Sequence, residues 1–423
     1  MKKIILSLMA FTSLTAFAQF GAPRQNPIVP SVTENVTEDF KPASSNQDNK
    51  QYPMVNSQRM VRAQITAPDA KFVGLDIAGK IYTMTKGENG VWTGTSEPQD
   101  EGFHYYQLNI DGASVPDPGS LYYYGASRWG SGIEIPSEDQ DFWQVKNVPQ
   151  GSMSEVFYWS TYTEQMRRCH VYLPAEYFTN PTKKFPVLYL QHGMGENEYG
   201  WAEQGHTAQI MDNLIAEGKA VPGIIVIDNG LNTRRPGEQG GFGGFGGPRP
   251  QGGPQGQRPQ GAPGQRPQGA PGQGGPRRGG FGGFGGFSEG FKNVLFNDII
   301  PMVEKNYRVI ADPQHRAYAG LSMGGMQARE ITLANPDKFA YVGSFSSGAW
   351  NVDQVKNSEG FAKKVKLLFM SGGGKENMGC VEASKNIKEQ LGMNAVGYES
   401  PGTAHEWHTW RRSLFEFAQL MFK

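Results

Sequence analysis

Between residues 52 and 149, apolar and polar side chains alternate in short runs separated by turn signals. Lys71–Ile77, Val91–Thr95 and Phe103–Ile110 carry the period of two expected of half-buried strands, and Asp111–Gly112 supplies a hairpin turn. From about residue 150 the pattern changes. Arg168–Leu173, Phe185–Leu190, Gly223–Asp228 and Val365–Met370 read as strands. Ala208–Ala216, Asn293–Tyr307 and Phe415–Met421 carry helical spacing. The first region predicts a small all-β sandwich. The second predicts an α/β fold with a mostly parallel sheet and helices on both faces.

Two stretches depart from these patterns. Residues 19–51 are polar and aperiodic and are expected to form a flexible lead-in to the sandwich at 52–149. Residues 237–287 interrupt the α/β domain at 150–423 and are almost only Gly, Pro, Gln, Phe and Arg. An eight-residue repeat begins at Arg258 and again at Arg266. Ordering so many glycines and prolines costs more than their few isolated phenylalanines return, so disorder is expected there. Glycine does not keep a period of three, which excludes collagen.

Composition adds limits. The chain has 423 residues, with 40 basic and 40 acidic side chains. This balance gives no reason to expect nucleic acid as a partner. The N-terminus has Lys2 and Lys3, an apolar run from Ile4 to Leu14, and Ala16-Phe17-Ala18. That is the form of a cleavable signal peptide over 1–18, too short to span a bilayer and without a lipoprotein cysteine, so a secreted or periplasmic protein is expected with no membrane insertion. Cys169 and Cys380 are expected as separate buried thiols, although export would permit a bridge. The oligomeric state is left open.

The chemistry centres on Gly320-Leu321-Ser322-Met323-Gly324. A G-x-S-x-G run between an apolar strand and a helix lifts a serine hydroxyl above the sheet edge. A serine needs a base, and His405 and His408 both lie in the last strand-to-helix connection; His405, after a small-residue turn, is the better placed. Glu376 is the carboxylate of the loop after Val365–Met370 and the candidate to orient the imidazole, the alternative being a solvated surface residue. Gln191-His192-Gly193-Met194-Gly195 has the form of an oxyanion loop. Met194 and Met323 are its candidate N–H donors, and His192 a loop support. Trp201, Trp350, Trp407 and Trp410 lie near these loops as candidate substrate contacts, with core packing as the alternative. No His/Cys/Asp/Glu group has metal-ligand spacing, and neither metal nor cofactor is expected.

On these residues the chain resembles carbohydrate esterase family 1, the esterase D-like group of feruloyl and acetylxylan esterases. The likeness rests on VYLPAEY, FPVLYLQHGMGENEYGW, FNDIIPMVEKNYRV, AYAGLSMGGMQARE and ESPGTAHEWHTWRRSLFEFAQLMF. It implies an α/β-hydrolase fold, Ser322 as nucleophile, His405 as base and the Met194 and Met323 N–H groups as oxyanion donors. The family's acid is often Asp, so Glu376 is a departure. The stretch GVWTGTSEPQDEGFHYYQLNIDG resembles the immunoglobulin-like early-set domain that precedes some secreted esterases. Such a module is either a spacer or a glycan binder. The resemblance implies a polysaccharide-linked ester as substrate, feruloyl on arabinoxylan first and acetylated xylan second. A siderophore esterase and a non-catalytic glycan-binding protein are further alternatives.

Overall fold

A computed structural model describes residues 26–237 and 285–423. The segment read as a signal peptide and all but the ends of the 237–287 insertion lie outside the described residues.

The α/β region is built on eight strands. They are β1 (Ser152–Ser160), β2 (Gln165–Leu173), β3 (Val187–Gln191), β4 (Ile224–Asp228), β5 (Arg316–Leu321), β6 (Tyr341–Phe345), β7 (Leu367–Gly373) and β8 (Ala395–Ser400). Their order in the sheet is β1-β2-β4-β3-β5-β6-β7-β8. β2 runs antiparallel to β1 and β4, and the strands from β4 to β8 are parallel. Chain order reverses at β3 and β4, so the connections leave the sheet in opposite directions there and open a crevice at the strands' carboxyl ends.

The alternation along each strand decides the two faces. Val187 and Tyr189 join one apolar core, while Leu188 and Leu190 join the other. On the second face lie α1 (Thr207–Ala216) and, at the chain's end, Trp407–Ala418. On the first lie α2 (Gly285–Val294), α3 (Met323–Ala334) and α4 (Cys380–Leu391); the terminal helix is α5. The helix expected over Asn293–Tyr307 runs without interruption to Asn306 and includes a π turn at Leu295–Ile299. Pro301 follows; it has no N–H, and its ring would collide with the carbonyl four residues back. Cys169 and Cys380 are buried and unbridged. Among the described residues no helix is long and apolar enough to cross a membrane.

The N-terminal region forms two sheets over one core. Met60–Thr66 and Val91–Pro98 supply Val61, Ala63 and Trp92 from one sheet; Val73–Ile77, Gly102–Ile110 and Arg128–Ile135 supply Leu75, Leu108 and Ile133 from the other. The hairpin at Asp111–Gly112 has both residues at positive φ, 49° and 89°, as a two-residue turn between paired strands requires.

Of the stretch 19–51 read as a flexible lead-in, residues 19–25 lie outside the described residues, and residues 26–51 differ from that reading. Ile28–Pro30 pairs in parallel with Lys80–Thr83, and Lys41–Pro42 pairs with Met54–Val55. Arg62 binds Glu38 through both terminal guanidinium nitrogens, at 2.6 and 2.9 Å. These strands are too short to show a period, and their partners lie far along the chain.

Candidate active site

Ser322 sits between β5 and α3 at φ 51°, ψ −115°, a conformation that ordinary residues avoid. The surrounding glycines permit the turn. A Cβ on Gly320 would lie 2.5 Å from the Gly324 carbonyl carbon, and one on Gly324 would lie 2.6 Å from the carbonyl oxygens of Gln191 and His192. The strand, the helix and the loop after β3 therefore meet at backbone distance, and the hydroxyl is left at the top of the sheet.

His405 and Glu376 reach the same point from the last two strand connections. His405 Nε2 lies 3.0 Å from Ser322 Oγ, and His405 Nδ1 lies 2.7 Å from Glu376 Oε1. The other carboxylate oxygen of Glu376 accepts from the Ser346 hydroxyl at 2.6 Å and the Gly373 N–H at 2.7 Å. Burial acts to raise the Glu376 pKa, but the hydrogen bonds from His405, Ser346 and Gly373 together outweigh it and hold the carboxyl below its ordinary value. The group is thus ionised where a neutral histidine needs an acceptor. Trp410 meets the His405 ring edge-on at 5.2 Å between centroids. His408, by contrast, is buried against the β unit, 3.3 Å from Asp139, and burial lowers its pKa to about 4.

The loop after β3 lies directly beside the serine: a Cβ on Gly193 would come within 3.3 Å of Ser322 Cβ. Met194 is half-buried on this loop, and Met323 opens α3, where a backbone N–H has no intrahelical acceptor. His192 is fully buried beneath the loop. Its Nδ1 lies 2.7 Å from the Gly193 carbonyl, and its Nε2 accepts from the Gly230 N–H at 3.1 Å. Burial depresses its pKa to about 4, so the ring is neutral, with Nδ1 as the donor.

The tryptophans require a correction. Trp201, Trp350 and Trp407 are 0%, 1% and 2% exposed and cannot line a substrate cleft. Trp201 and Trp407 belong to one face's core and Trp350 to the other. Each indole N–H is used internally, on the Gln191 carbonyl, the Tyr105 hydroxyl and the Ser344 hydroxyl respectively for Trp201, Trp407 and Trp350. Proximity to catalytic loops in sequence does not say whether a side chain points up into the cleft or down into the layer beneath.

Sequence reasoning also missed residues. Ser346, at φ 46°, holds Glu376 but sits in a run, Ser344-Phe345-Ser346-Ser347, that carries no motif. Glu196 is buried beneath the β3 loop. Its Oε1 accepts from the Tyr105 hydroxyl at 3.3 Å, its Oε2 has no partner, and burial raises its pKa to about 8 against the lowering effect of the Tyr105 hydrogen bond. Among the described residues, no group of three or more His, Cys, Asp or Glu gathers as a metal site.

Comparison with known proteins supports a carboxylic ester hydrolase. The Esterase family model matches residues 160–244 and 277–420. An endo-1,4-beta-xylanase/feruloyl esterase of Xylanibacter ruminicola is 41% identical over 395 residues, which is 91% of this chain and 48% of that protein. The chain thus spans less than half the length of this curated relative. An enterobactin esterase of Shigella flexneri superposes with a TM-score of 0.54 at 14% identity, covering 85% of this chain and 92% of that one, and so shares the fold. A ferulic acid esterase of Anaeromyces mucronatus superposes at 0.49 with 20% identity, over 67% and 95% of the two chains.

Proposed function

The chain belongs to the Esterase family, and on that premise we propose that it is an exported serine carboxylic-ester hydrolase that releases ferulic acid from plant cell-wall arabinoxylan through an acyl-enzyme. The observation that carries the hydrolase reading is the continuous chain Ser322–His405–Glu376, at 3.0 and 2.7 Å. The feruloyl choice is supported by the xylanase/feruloyl esterase relative at 41% identity. Export is supported by the N-terminal charged, apolar and small-residue pattern.

In this reading Ser322 Oγ attacks the ester carbonyl while His405 Nε2 takes its proton. The charge that develops on the carbonyl oxygen meets the N–H groups of Met194 and Met323. Collapse of the tetrahedral adduct expels the sugar alcohol, which leaves with the proton from His405. Water, deprotonated by the same nitrogen, then attacks the acyl-enzyme and releases the acid. Glu376 accepts from Nδ1–H throughout, fixing the tautomer and stabilising the imidazolium.

The test is a panel of methyl ferulate, acetylated xylan and a p-nitrophenyl ester, with wild type and Ser322→Ala side by side. Wild type should cleave methyl ferulate, and Ser322→Ala should cleave nothing while melting at the wild-type temperature. Release of acetate without ferulate overturns the acyl choice. Wild type inert on all three esters overturns the hydrolase reading and leaves a glycan-binding protein. Export is tested by the mass of the mature chain, expected to begin at Gln19.

A further inference from the structure

We propose that the N-terminal β unit is a working part of the esterase site, because the tip of one of its hairpins holds the loop that presents Met194. The inference rests on the hydrolase reading above.

The hairpin joins Tyr122–Gly125 to Arg128–Ile135, with Gly125 paired to Arg128 and two residues, Ala126 and Ser127, between them. Both have positive φ, 50° and 63°. Two-residue turns of this kind favour Asn-Gly, because a Cβ is strained in the left-handed region. Ala-Ser therefore meets a conformational cost at this tip, and such outliers cluster where the backbone has another task. Here the Ser127 N–H donates to the Gly195 carbonyl at 2.7 Å. Gly195 itself has φ 81°, and a Cβ there would lie 3.6 Å from Ala126 Cα and Ser127 N.

Met194 is the residue before Gly195. On its other side, His192 Nδ1–H holds the Gly193 carbonyl at 2.7 Å. The Gly193–Met194 peptide, which carries the Met194 N–H, is thus held from the α/β domain, and the Gly195–Glu196 peptide, one residue further on, is held from the β unit. A clamp works only if its support is stiff, and the β unit is braced close behind the tip. Arg411, fully buried, binds Glu134 at 2.7 and 3.0 Å and donates Nε to the Gln204 carbonyl at 2.6 Å. Gln204 Nε2 reaches the Tyr105 hydroxyl at 2.7 Å and the Tyr124 carbonyl at 2.8 Å. Glu134, Tyr105 and Tyr124 come from three strands of the β unit, and Tyr124 is two residues from the tip. Ser127 is accordingly a positioning residue: it touches no substrate but sets where an oxyanion donor points.

The test uses the full chain and p-nitrophenyl acetate, an ester too small to need the β unit for binding. One variant inserts a glycine between Ala126 and Ser127, which moves the N–H off Gly195. A second, Ser127→Val, keeps the chain length but disfavours the left-handed backbone that aims the N–H. A third, A126N/S127G, keeps both the turn and the N–H. We expect the first two to lose about tenfold in kcat with KM within about twofold of wild type, since misplacing a catalytic donor acts on the transition state. Inhibition by phenylboronic acid, which forms a tetrahedral adduct on a serine, should weaken in parallel. A126N/S127G should retain kcat.

Wild-type kcat in both perturbed variants overturns the proposal. So does a rise in KM at constant kcat, which would make the tip a binding surface. A kcat loss confined to the insertion and matched by a collapse in melting temperature overturns it as well, since the role is then only structural. A wild type inert on every ester would instead overturn the hydrolase reading.

Discussion

Replacing Glu196 by Gln tests the electrostatics beneath the oxyanion loop. The carboxyl is 7% exposed, one of its oxygens has no partner, and burial lifts its pKa from an ordinary 4.5 to about 8. The folded state therefore holds the proton more tightly than the unfolded chain does. The stability tied to this proton is fully present below pH 4.5 and is lost as pH rises toward 8. At about 1.4 kcal/mol per pH unit, that span is worth about 5 kcal/mol. Glutamine keeps the shape and carries no titrating proton. The melting temperatures of wild type and Glu196→Gln, measured from pH 5 to pH 9, should diverge. The variant should gain on wild type as pH rises, by about 2–4 °C per kcal/mol for a domain of about 200 residues. Glu203 and Asp212, also raised by burial, add the same slope to both proteins and cancel in the difference. Two parallel curves would refute the reasoning.

Three further outcomes are expected. Glu376→Gln should lower kcat by about 10²–10⁴, because the amide cannot stabilise an imidazolium; a variant with most of its rate would move the acid elsewhere. Glu134→Gln should destabilise the protein by about 3–5 kcal/mol, because Arg411 would keep its charge in a buried site without its partner; a denaturation midpoint equal to wild type would show that the pair is dispensable. Trp201→Ala should cost about 3–5 kcal/mol as a core truncation, and the variant that remains folded should rank the ester panel as wild type does; an altered ranking would restore the tryptophan to the substrate site.

The candidate constellation of Ser322, His405 and Glu376 was legible because its parts are local. Gly320, Ser322 and Gly324 are spaced by the needs of one tight turn, and the strand before and the helix after are written in the adjacent residues. His405 and Glu376 could be found because the carboxyl ends of parallel strands all lie on one side of a sheet, so the loops after β7 and β8 must converge on the one after β5. Chain order and element type suffice for that inference, and periodicity supplies both.

What the tertiary structure decided depends on pairs far apart along the chain. Glu134 and Arg411 are separated by 277 residues, and neither position carries a pattern that announces the other. Trp201 and Trp407 are buried because helices and the β unit cover that face of the sheet, and an indole's fate depends on what covers it, not on its neighbours in sequence. Ile28–Pro30 and Lys41–Pro42 become strands because partners at 80–83 and 54–55 complete their hydrogen bonds. Ala126 and Ser127 carry no turn signature, and only the Gly195 carbonyl 2.7 Å from the Ser127 N–H gives that tip a task. Local hydrogen bonding and periodicity are properties of a short stretch of chain and can be read from it. Burial and long-range contact are properties of two surfaces, and they exist only once both surfaces have been placed.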